Sequence, residues 1–380
     1  MHYHLILTED CNSKCRYCYE KSLALEEFEN SLNDKFEFDF SAPCKSEIDI
    51  NKLKEFLLKD SEPILIFYGG EPLLEIEKIK QIIDSLKNTS VKFRMQTNAK
   101  LLNEVPFKYL EKIDKILVSI DGNQERTDYN RGKGTYNTVI KNLQKIRSLG
   151  YRGEIIARMT IAQDCHDIYE QVKYLIKNLD FKFSSIHWQL DVGFYESDFE
   201  EKKIKDFLNQ YNNSISKLID YWINELEKGN FIKIYPFIGI INRILRIDDI
   251  SQNKGLMCGA GHSGYAITTN GKIVACPIMN DIKDFEAGSI DKTSPQELKR
   301  FSISECKDCN YYDYCGGRCL YWRKAKLWPE KGDELICNSI KHLLKELKNN
   351  IPKIKELIDK KIITKKDFEY EKYFGPEIIP

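Results

Sequence analysis

The amino-acid sequence predicts an α/β fold, a partial (β/α)6 TIM-like barrel followed by a small cysteine-rich domain. Over roughly the first 200 residues, short apolar runs alternate with segments of helical period, which is typical of parallel strands joined by right-handed crossovers. Seven of the twelve cysteines then fall between Cys258 and Cys337, in a stretch with little periodicity. The first pattern predicts the barrel, and the second predicts the separate domain.

Six apolar runs are the predicted strands. They are residues 3–7, 64–68, 92–96, 115–120, 154–161 and 185–190. The clearest predicted helix is TYNTVIKNLQKIRSLG, with Thr135 as the expected N-cap and Gly150 as the stop signal. Two more helices are predicted over residues 199–229 and 338–361, the second with a break near Pro352.

These elements predict four parts of the chain. Residues 1–230 are the expected barrel, 231–257 a linking helical segment, 258–340 the cysteine-rich domain, and 341–380 a C-terminal helix and tail. The tail, DFEYEKYFGPEIIP, has the composition of a docking segment or a lid, and a frayed terminus is the simpler interpretation.

Charge and apolar content limit the possible functions. Lys+Arg and Asp+Glu balance at 58 each, so the net charge indicates neither nucleic acid nor an anionic membrane as a partner. No apolar run has the length of a membrane span, and the first residues have no signal-peptide pattern. We therefore expect a cytoplasmic protein, in which cysteines are metal ligands or redox groups before they are disulfides.

Three cysteines follow the first predicted strand in the segment CNSKCRYC. Cys11, Cys15 and Cys18 can hold three corners of a cubane iron–sulfur cluster, which leaves the fourth iron open for a ligand. A catalytic zinc site keeps one position open in the same way. A zinc site or ordinary buried thiols are the alternatives for these three residues alone.

Other polar and glycine-rich segments follow the next strands. Glycines in IFYGGEPLLE let the backbone approach a ligand closely. On the fifth strand, the guanidinium of Arg158 suits a carboxylate ligand, and a purely structural arginine is the alternative. Because ligands bind at the carboxyl ends of parallel strands, we expect these residues to line one site. They are Gly69, Gly70, Glu71, Thr97, Asn98, Ser119, Asp121 and Arg158.

Taken together, CNSKCRYC, IFYGGEPLLE, MQTNAK and VSIDGNQERTDYNRG resemble the radical S-adenosylmethionine (SAM) enzymes. The resemblance implies a [4Fe-4S] cluster on the three cysteines, whose open iron chelates SAM. It also implies cleavage of SAM by one electron to methionine and a 5′-deoxyadenosyl radical, which abstracts a hydrogen atom.

The same resemblance assigns SAM contacts. It implies that Glu71 and the two glycines before it receive the amino group, and that Ser119 and Asp121 face the ribose. Arg158 is the implied partner of the methionine carboxylate. Tyr17, just before the last cysteine, is a further implied contact.

The later cysteines resemble the seven-cysteine SPASM domain that follows the barrel in some radical SAM enzymes. The resemblance implies one auxiliary [4Fe-4S] cluster on four cysteines and another on three, and hence three clusters in all. The ligands of the first are Cys306, Cys309, Cys315 and Cys337, and those of the second are Cys258, Cys276 and Cys319. An external electron donor of the ferredoxin or flavodoxin type is implied as well.

The second auxiliary set departs from the fully ligated pattern, because no fourth cysteine lies near Cys258. His262 and Cys165 are candidates for the fourth ligand, and a loop histidine and a buried thiol are the simpler interpretations. Residues 306–319 alone would also suit zinc.

The whole chain is similar to an archaeal group assigned to peptide modification, so we expect a peptide or protein substrate and a crosslink-type modification. The same chemistry on a cofactor precursor is one alternative, and a non-catalytic electron-transfer or zinc-binding module is another. Formylglycine-forming members place an aspartate directly after the second SPASM cysteine. Here Pro277 follows Cys276 and Asp281 lies further on, which argues against sulfatase maturation.

The substrate side of the site is less defined. Only ten residues precede Cys11, so we expect any peptide leader to bind another part of the chain or a separate protein. Gln189 and Asp191, in the segment HWQLD with His187, are predicted to act on the substrate, and strand-end capping is the alternative. Tyr195 lies close to them in sequence.

Overall fold

The structure is a computed structural model that describes residues 1–18, 32, 34–192, 196–245, 247 and 256–370. The chain forms two compact units. The first contains residues 1–157 and 259–302, and the second contains residues 158–258 and 303–380. The predicted division into four domains stays a prediction. Tyr195 and the last ten residues of the tail lie outside the described residues.

Within the described ranges the strands are β1 (His2–Ile6), β2 (Ile64–Tyr68), β3 (Lys92–Thr97), β4 (Ile113–Ser119), β5 (Glu154–Ile161), β6 (Ser185–Leu190), β7 (Gly264–Ile267), β8 (Lys272–Val274) and β9 (Glu286–Ser289). The prediction of an α/β fold is confirmed, and each of the six predicted strands occurs within two residues of its expected ends. Most residues of β2 are buried, as expected for a parallel strand that is covered on both faces.

The sheet of the first unit has the strand order β4-β3-β2-β1-β7-β8-β9. Pairing is parallel from β4 through β1 to β7, where His2 faces Gly264, and antiparallel from β7 to β9. The sequence did not predict β7. This strand brings residues that follow Cys258 onto the free edge of β1, so the sheet continues beyond the six predicted strands.

The helices of the described part are α1 (Ile50–Leu57), α2 (Ile76–Leu86), α3 (Phe107–Leu110), α4 (Gln124–Arg131), α5 (Thr135–Ser148), α6 (Ile168–Ile176), α7 (Glu201–Glu227), α8 (Tyr235–Leu245), α9 (Tyr312–Cys315), α10 (Leu320–Ala325), α11 (Glu330–Asn349) and α12 (Ile351–Asp359). The expected N-cap of α5 is wrong by one residue, because Gly134 (φ +82°) holds that position. The Thr135 hydroxyl donates backwards to the carbonyls of Arg131 and Gly132 and caps nothing. Gly150 (φ +103°) follows the end of the helix as predicted.

In the second unit, the long helix α7 packs against α11. The Ser339 hydroxyl donates to Asn212 at 2.7 Å, and Ser216 lies 2.9 Å from His342. α11 begins eight residues before the predicted start, at Glu330, so Cys337 lies on a helix. The break near Pro352 is confirmed at Asn350. No helix in the described residues is both long and apolar enough to span a bilayer.

Candidate functional site

The segment that carries the three cysteines leaves β1 along the end of β2. The Gly70 amide donates to the Thr8 carbonyl at 2.8 Å, and the Glu71 amide donates to the Asp10 carbonyl at 2.9 Å. A β-carbon on Gly69, whose φ is +136°, would lie 2.3 Å from the Thr8 carbonyl oxygen. A β-carbon on Gly70 would lie 2.4 Å from the carbonyl oxygens of Glu9 and Asp10. Both positions therefore require glycine, because the backbone of residues 8–10 passes too close for a side chain. The sequence alone predicted close approach to a ligand and did not indicate this contact.

Glu71 is buried, and both of its carboxylate oxygens accept hydrogen bonds. Oε1 accepts from the Leu73 amide at 3.1 Å and from the Thr97 hydroxyl at 2.6 Å, and Oε2 accepts from the Asn98 amide at 2.8 Å. Burial raises the pKa of Glu71 to about 6, against the lowering effect of these donors. Its carboxylate thus joins the carboxyl ends of β2 and β3.

Asn98 carries this link to the cysteines. Its side-chain amide donates to Asn12 at 2.7 Å and to Ser13 at 3.3 Å, and it lies 3.9 Å from the Cys11 sulfur. The Lys100 amide in turn donates to the Asn98 side-chain oxygen at 3.0 Å. The end of β3 therefore fixes the first half of the cysteine segment through one side chain.

Asp121 fixes the second half from the end of β4. Its carboxylate accepts a hydrogen bond from the Tyr17 hydroxyl, one from Asn130 at 3.1 Å and two from Arg131 at 2.9 Å each. Asp121 and Arg131 are both buried, and the guanidinium also lies 5.3 Å from the centre of the Tyr17 ring. Both oxygens are thus engaged inside the protein, which gives Asp121 a positioning role that was not predicted. Its contact with a ribose stays a prediction.

The remaining predicted SAM contacts lie in different surroundings. Ser119 is half-buried at the end of β4, in the first unit. Arg158 is half-buried in the second unit, where its guanidinium lies 2.9 Å from His187 Nδ1 and donates to the Gln189 side chain. Burial and the neighbouring guanidinium hold the pKa of His187 well below its usual value, so the ring is neutral and Nδ1 is the acceptor.

The predicted substrate residues thus belong to one strand pair. Gln189 and His187 lie on β6 and hold Arg158 of β5, and the Asp191 amide donates to the Ile161 carbonyl at 2.9 Å. Among the described residues, His187 Nε2 is buried without a hydrogen-bond partner. Strand-end pairing accounts for the Asp191 backbone, and catalytic roles for Gln189 and Asp191 stay predictions.

All twelve cysteines are described, and none is in a disulfide. Cys306, Cys309, Cys315, Cys319 and Cys337 belong to the second unit, in and beside the short helices α9 and α10 and on α11. No three His, Cys, Asp or Glu side chains of the described residues converge on a position for a single ion.

Burial and backbone amides act in opposite directions on two of these thiols. Burial raises the pKa of Cys315 to about 11 and also raises the pKa of Cys319, against the lowering effect of the amides of Gly317 and Arg318 at the first sulfur and of Tyr321 and Trp322 at the second. Hydrogen bonds of this kind stabilise thiolates, the form that binds iron. The donor set therefore fits an iron–sulfur cluster.

The other auxiliary set is divided between the units. Cys276 lies in the first unit, directly before a helical turn at Pro277–Met279, and Cys258 lies in the second unit. His262 is half-buried in the tight turn before β7, and burial lowers its pKa. The fourth ligand of this set stays open.

Two carboxyl groups, the exposed Glu9 and the half-buried Asp281, lie beside the cysteine segment. Burial and the neighbouring Glu9 and Asp39 raise the pKa of Asp281 to about 6, and burial also raises the pKa of Glu9. The Asn280 amide donates to Glu9 at 2.9 Å, so the turn after Cys276 is connected to the residues just before Cys11. Sequence reasoning noted Asp281 but missed Glu9.

Comparison with known proteins gives consistent results. The sequence model of the Radical SAM superfamily matches residues 5–162 of this chain. A cysteine-type anaerobic sulfatase-maturating enzyme of Clostridium novyi is 21% identical, over 91% of this chain and 94% of its own length. An uncharacterized protein of Methanocaldococcus jannaschii is 30% identical, over 59% of this chain and 75% of its own length.

A solved structure agrees over nearly the whole chain. It is described as native anSMEcpe with bound AdoMet and Cp18Cys peptide, and it is 20% identical. The match covers 94% of this chain and 99% of that one, with a TM-score of 0.68, which establishes the shared fold. With a cysteine segment held at the strand ends of a parallel sheet, this chain belongs to the radical SAM superfamily.

Proposed function

We propose that this protein is a radical SAM enzyme that modifies a peptide or protein. The observation that carries the proposal is the connection from Glu71 through Asn98 to the cysteine segment, which positions three thiols at the carboxyl ends of β1 to β3. Three half-exposed or exposed thiols on one loop suit a cubane cluster with an open iron.

Cys11, Cys15 and Cys18 would hold this cluster. When bound, it supplies the electron that cleaves SAM to methionine and a 5′-deoxyadenosyl radical, which removes a hydrogen atom from the substrate. Asn98 and Asp121 keep the two halves of the cysteine segment in place, and Glu71 keeps Asn98 in place. Gly69, Gly70, Ser119, Tyr17 and Arg158 remain proposed SAM contacts.

Two auxiliary clusters are part of the proposal. Cys306, Cys309, Cys315 and Cys337 would hold one, and they lie in and beside α9 and on α11 of the second unit. Cys258, Cys276 and Cys319 would hold the other. An external ferredoxin or flavodoxin would supply electrons.

A peptide substrate is favoured by the proteins that this chain resembles. One is named as a sulfatase-maturating enzyme, and one structure contains a Cp18Cys peptide. In this chain a proline turn follows Cys276, and Asp281 comes only after it, beside Glu9. This difference favours a peptide other than a sulfatase.

The test is formation of 5′-deoxyadenosine by anaerobically reconstituted protein with SAM and dithionite, measured by mass spectrometry. We expect Cys15→Ala to abolish the product and to lose about four irons per chain. Cys44→Ala is the matched control, since Cys44 is exposed and belongs to none of the three proposed sets of cluster ligands. Unchanged product from Cys15→Ala would contradict the proposal. Candidate peptides are then screened for a mass change that depends on SAM.

A further inference from the structure

Arg318 lies between two of the proposed cluster ligands, Cys315 and Cys319, and it is 3% exposed. One end of its guanidinium donates to Asp333. Among the described residues, its Nε and Nη1 have no hydrogen-bond partner. A buried donor without an acceptor is costly, and more so on a charged group. These two N–H groups therefore indicate an acceptor that the polypeptide does not provide.

The backbone of Arg318 is also unfavourable. Its φ is +73°, in the left-handed region, after Gly316 at +69° and Gly317 at +94°. A residue with a β-carbon costs about 1 kcal/mol or more in this region, and such costs are concentrated at functional sites. Strain and a buried, partly unpaired charge thus coincide at one residue.

The surrounding charges leave an excess of positive charge at the cysteines. Asp333 accepts from Arg318, from Trp322 at 2.8 Å and from Arg323 at 2.8 Å, so one carboxylate faces two guanidinium groups. Arg323 also lies 3.5 Å from the Cys337 sulfur. Anionic sulfur is the acceptor that this arrangement suits.

We propose that Arg318 donates Nε–H and Nη1–H to the anionic sulfur of the auxiliary cluster held by Cys306, Cys309, Cys315 and Cys337, and thereby makes that cluster easier to reduce. The inference rests on the proposed function for the presence of this cluster. Reduction adds one negative charge, so a buried cation stabilises the reduced form more than the oxidised form. Arg318 is a tuning residue and touches no substrate.

The experiment measures the reduction potential of this cluster by EPR-monitored titration of the full-length, reconstituted protein. A Cys15→Ala background removes the signal of the SAM cluster, and the signal that Cys337→Ala abolishes identifies the cluster. We expect Arg318→Gln to disfavour one-electron reduction at least tenfold, a shift of about 59 mV to lower potential. Arg318→Lys keeps the positive charge but loses the planar set of guanidinium N–H donors, so its reduction potential should shift by less.

Lys324→Gln is the matched control, because it removes one positive charge at a half-exposed position on the neighbouring helix α10. Its potential should stay close to that of the parent. An unchanged potential in Arg318→Gln with full iron content would overturn the inference and leave the cluster assignment intact. Failure of Cys337→Ala to remove any iron or signal would instead overturn the cluster assignment.

A second measurement covers the case in which the Arg318 variants do not retain the cluster. Protein labelled with arginine that carries ¹⁵N only in its guanidinium group, with Arg323→Lys to remove the neighbouring guanidinium, should show a nitrogen coupling to the reduced cluster in pulsed EPR. The same sample without the label gives the baseline. Absence of a ¹⁵N coupling would overturn the proposed contact.

Discussion

The Tyr17 hydroxyl donates a hydrogen bond to the buried carboxylate of Asp121, 104 residues further along the chain. Asp121 is also paired with Arg131, and the Arg16 amide donates to the Asn130 carbonyl at 2.9 Å. The second half of the cysteine segment is thus attached to the end of β4 and to α4. Its position depends on residues that are not cluster ligands.

Two variants separate the parts of this connection. Tyr17→Phe removes one hydrogen bond to a carboxylate and should lower the free energy of unfolding by about 2 kcal/mol. Asp121→Asn leaves the buried Arg131 without its counter-charge and should cost about 3 to 5 kcal/mol. Denaturant unfolding and iron content after reconstitution check both. Equal losses in the two variants would contradict the central role of Asp121.

Gly70→Ala should prevent the SAM cluster from assembling. The added methyl would lie 2.4 Å from the carbonyl oxygens of Glu9 and Asp10, so the cysteine segment must move. Gly134→Ala is the control, since a methyl there meets nothing within 4 Å and costs only the left-handed backbone, about 1 to 2 kcal/mol. Iron content and 5′-deoxyadenosine yield should fall in the first variant only. Full activity of Gly70→Ala would show that the segment is not held in this way.

Asn98→Ala should weaken the first half of the cysteine segment. It removes donors to Asn12 and Ser13 and the amide nearest the Cys11 sulfur. If the lost hydrogen bonds raise the activation free energy by about 1 to 1.5 kcal/mol, SAM cleavage should be roughly five- to tenfold slower. The potential of the SAM cluster should also fall, because hydrogen bonds to sulfur favour the reduced form. Redox titration with and without SAM checks this, and an unchanged potential would leave Asn98 a purely structural residue.

Asp281→Asn should stabilise the protein at neutral pH. The pKa of Asp281 is higher in the folded protein, about 6, than its ordinary value of 3.8, so its contribution to stability is fully present below about pH 4 and is lost as the pH rises to about 6. After allowance for solvent screening of a partly exposed group, the ionised carboxylate costs about 1 kcal/mol. The variant should melt about 2 °C higher at pH 7.5 and show less difference at pH 5.

Asp206→Asn, at an exposed position on α7, is the control for this prediction and should leave the melting temperature at pH 7.5 close to that of the parent protein. A lower melting temperature of Asp281→Asn at pH 7.5 would contradict the sign of the effect. Loss of peptide modification with retained stability would indicate that the carboxylate serves the reaction.

Local patterns in the sequence were sufficient for the strands and for the order of the site segments. Apolar runs located β1 to β6, and the resemblance located the cysteines and the glycines before Glu71. β7 was missed because four residues are too few to show a period. Gly134 was missed as the α5 cap because Thr135 has a side chain that commonly caps helices.

The partners of the site residues could not be predicted, because they are distant in sequence. The residues around Asp121 in the sequence do not indicate that Tyr17 donates to its carboxylate. Those around Arg318 do not indicate that Asp333 accepts from only one end of the Arg318 guanidinium. Burial decides which of these polar groups are costly, and burial is a property of the folded chain. Resemblance supplied the proposed ligands, and the structure supplied the side chains that hold the segment on which Cys11, Cys15 and Cys18 lie.

The parallel pairing of β1 with β7 has a consequence for synthesis of the protein. His2 pairs with Gly264, so during synthesis β1 waits for 262 further residues before its second edge is covered. At typical rates of elongation this takes on the order of tens of seconds. During that time an apolar strand with unpaired amides and carbonyls is open to other nascent chains. Chains truncated before residue 264 should therefore aggregate, and full-length yield should improve with chaperone capacity and slower expression.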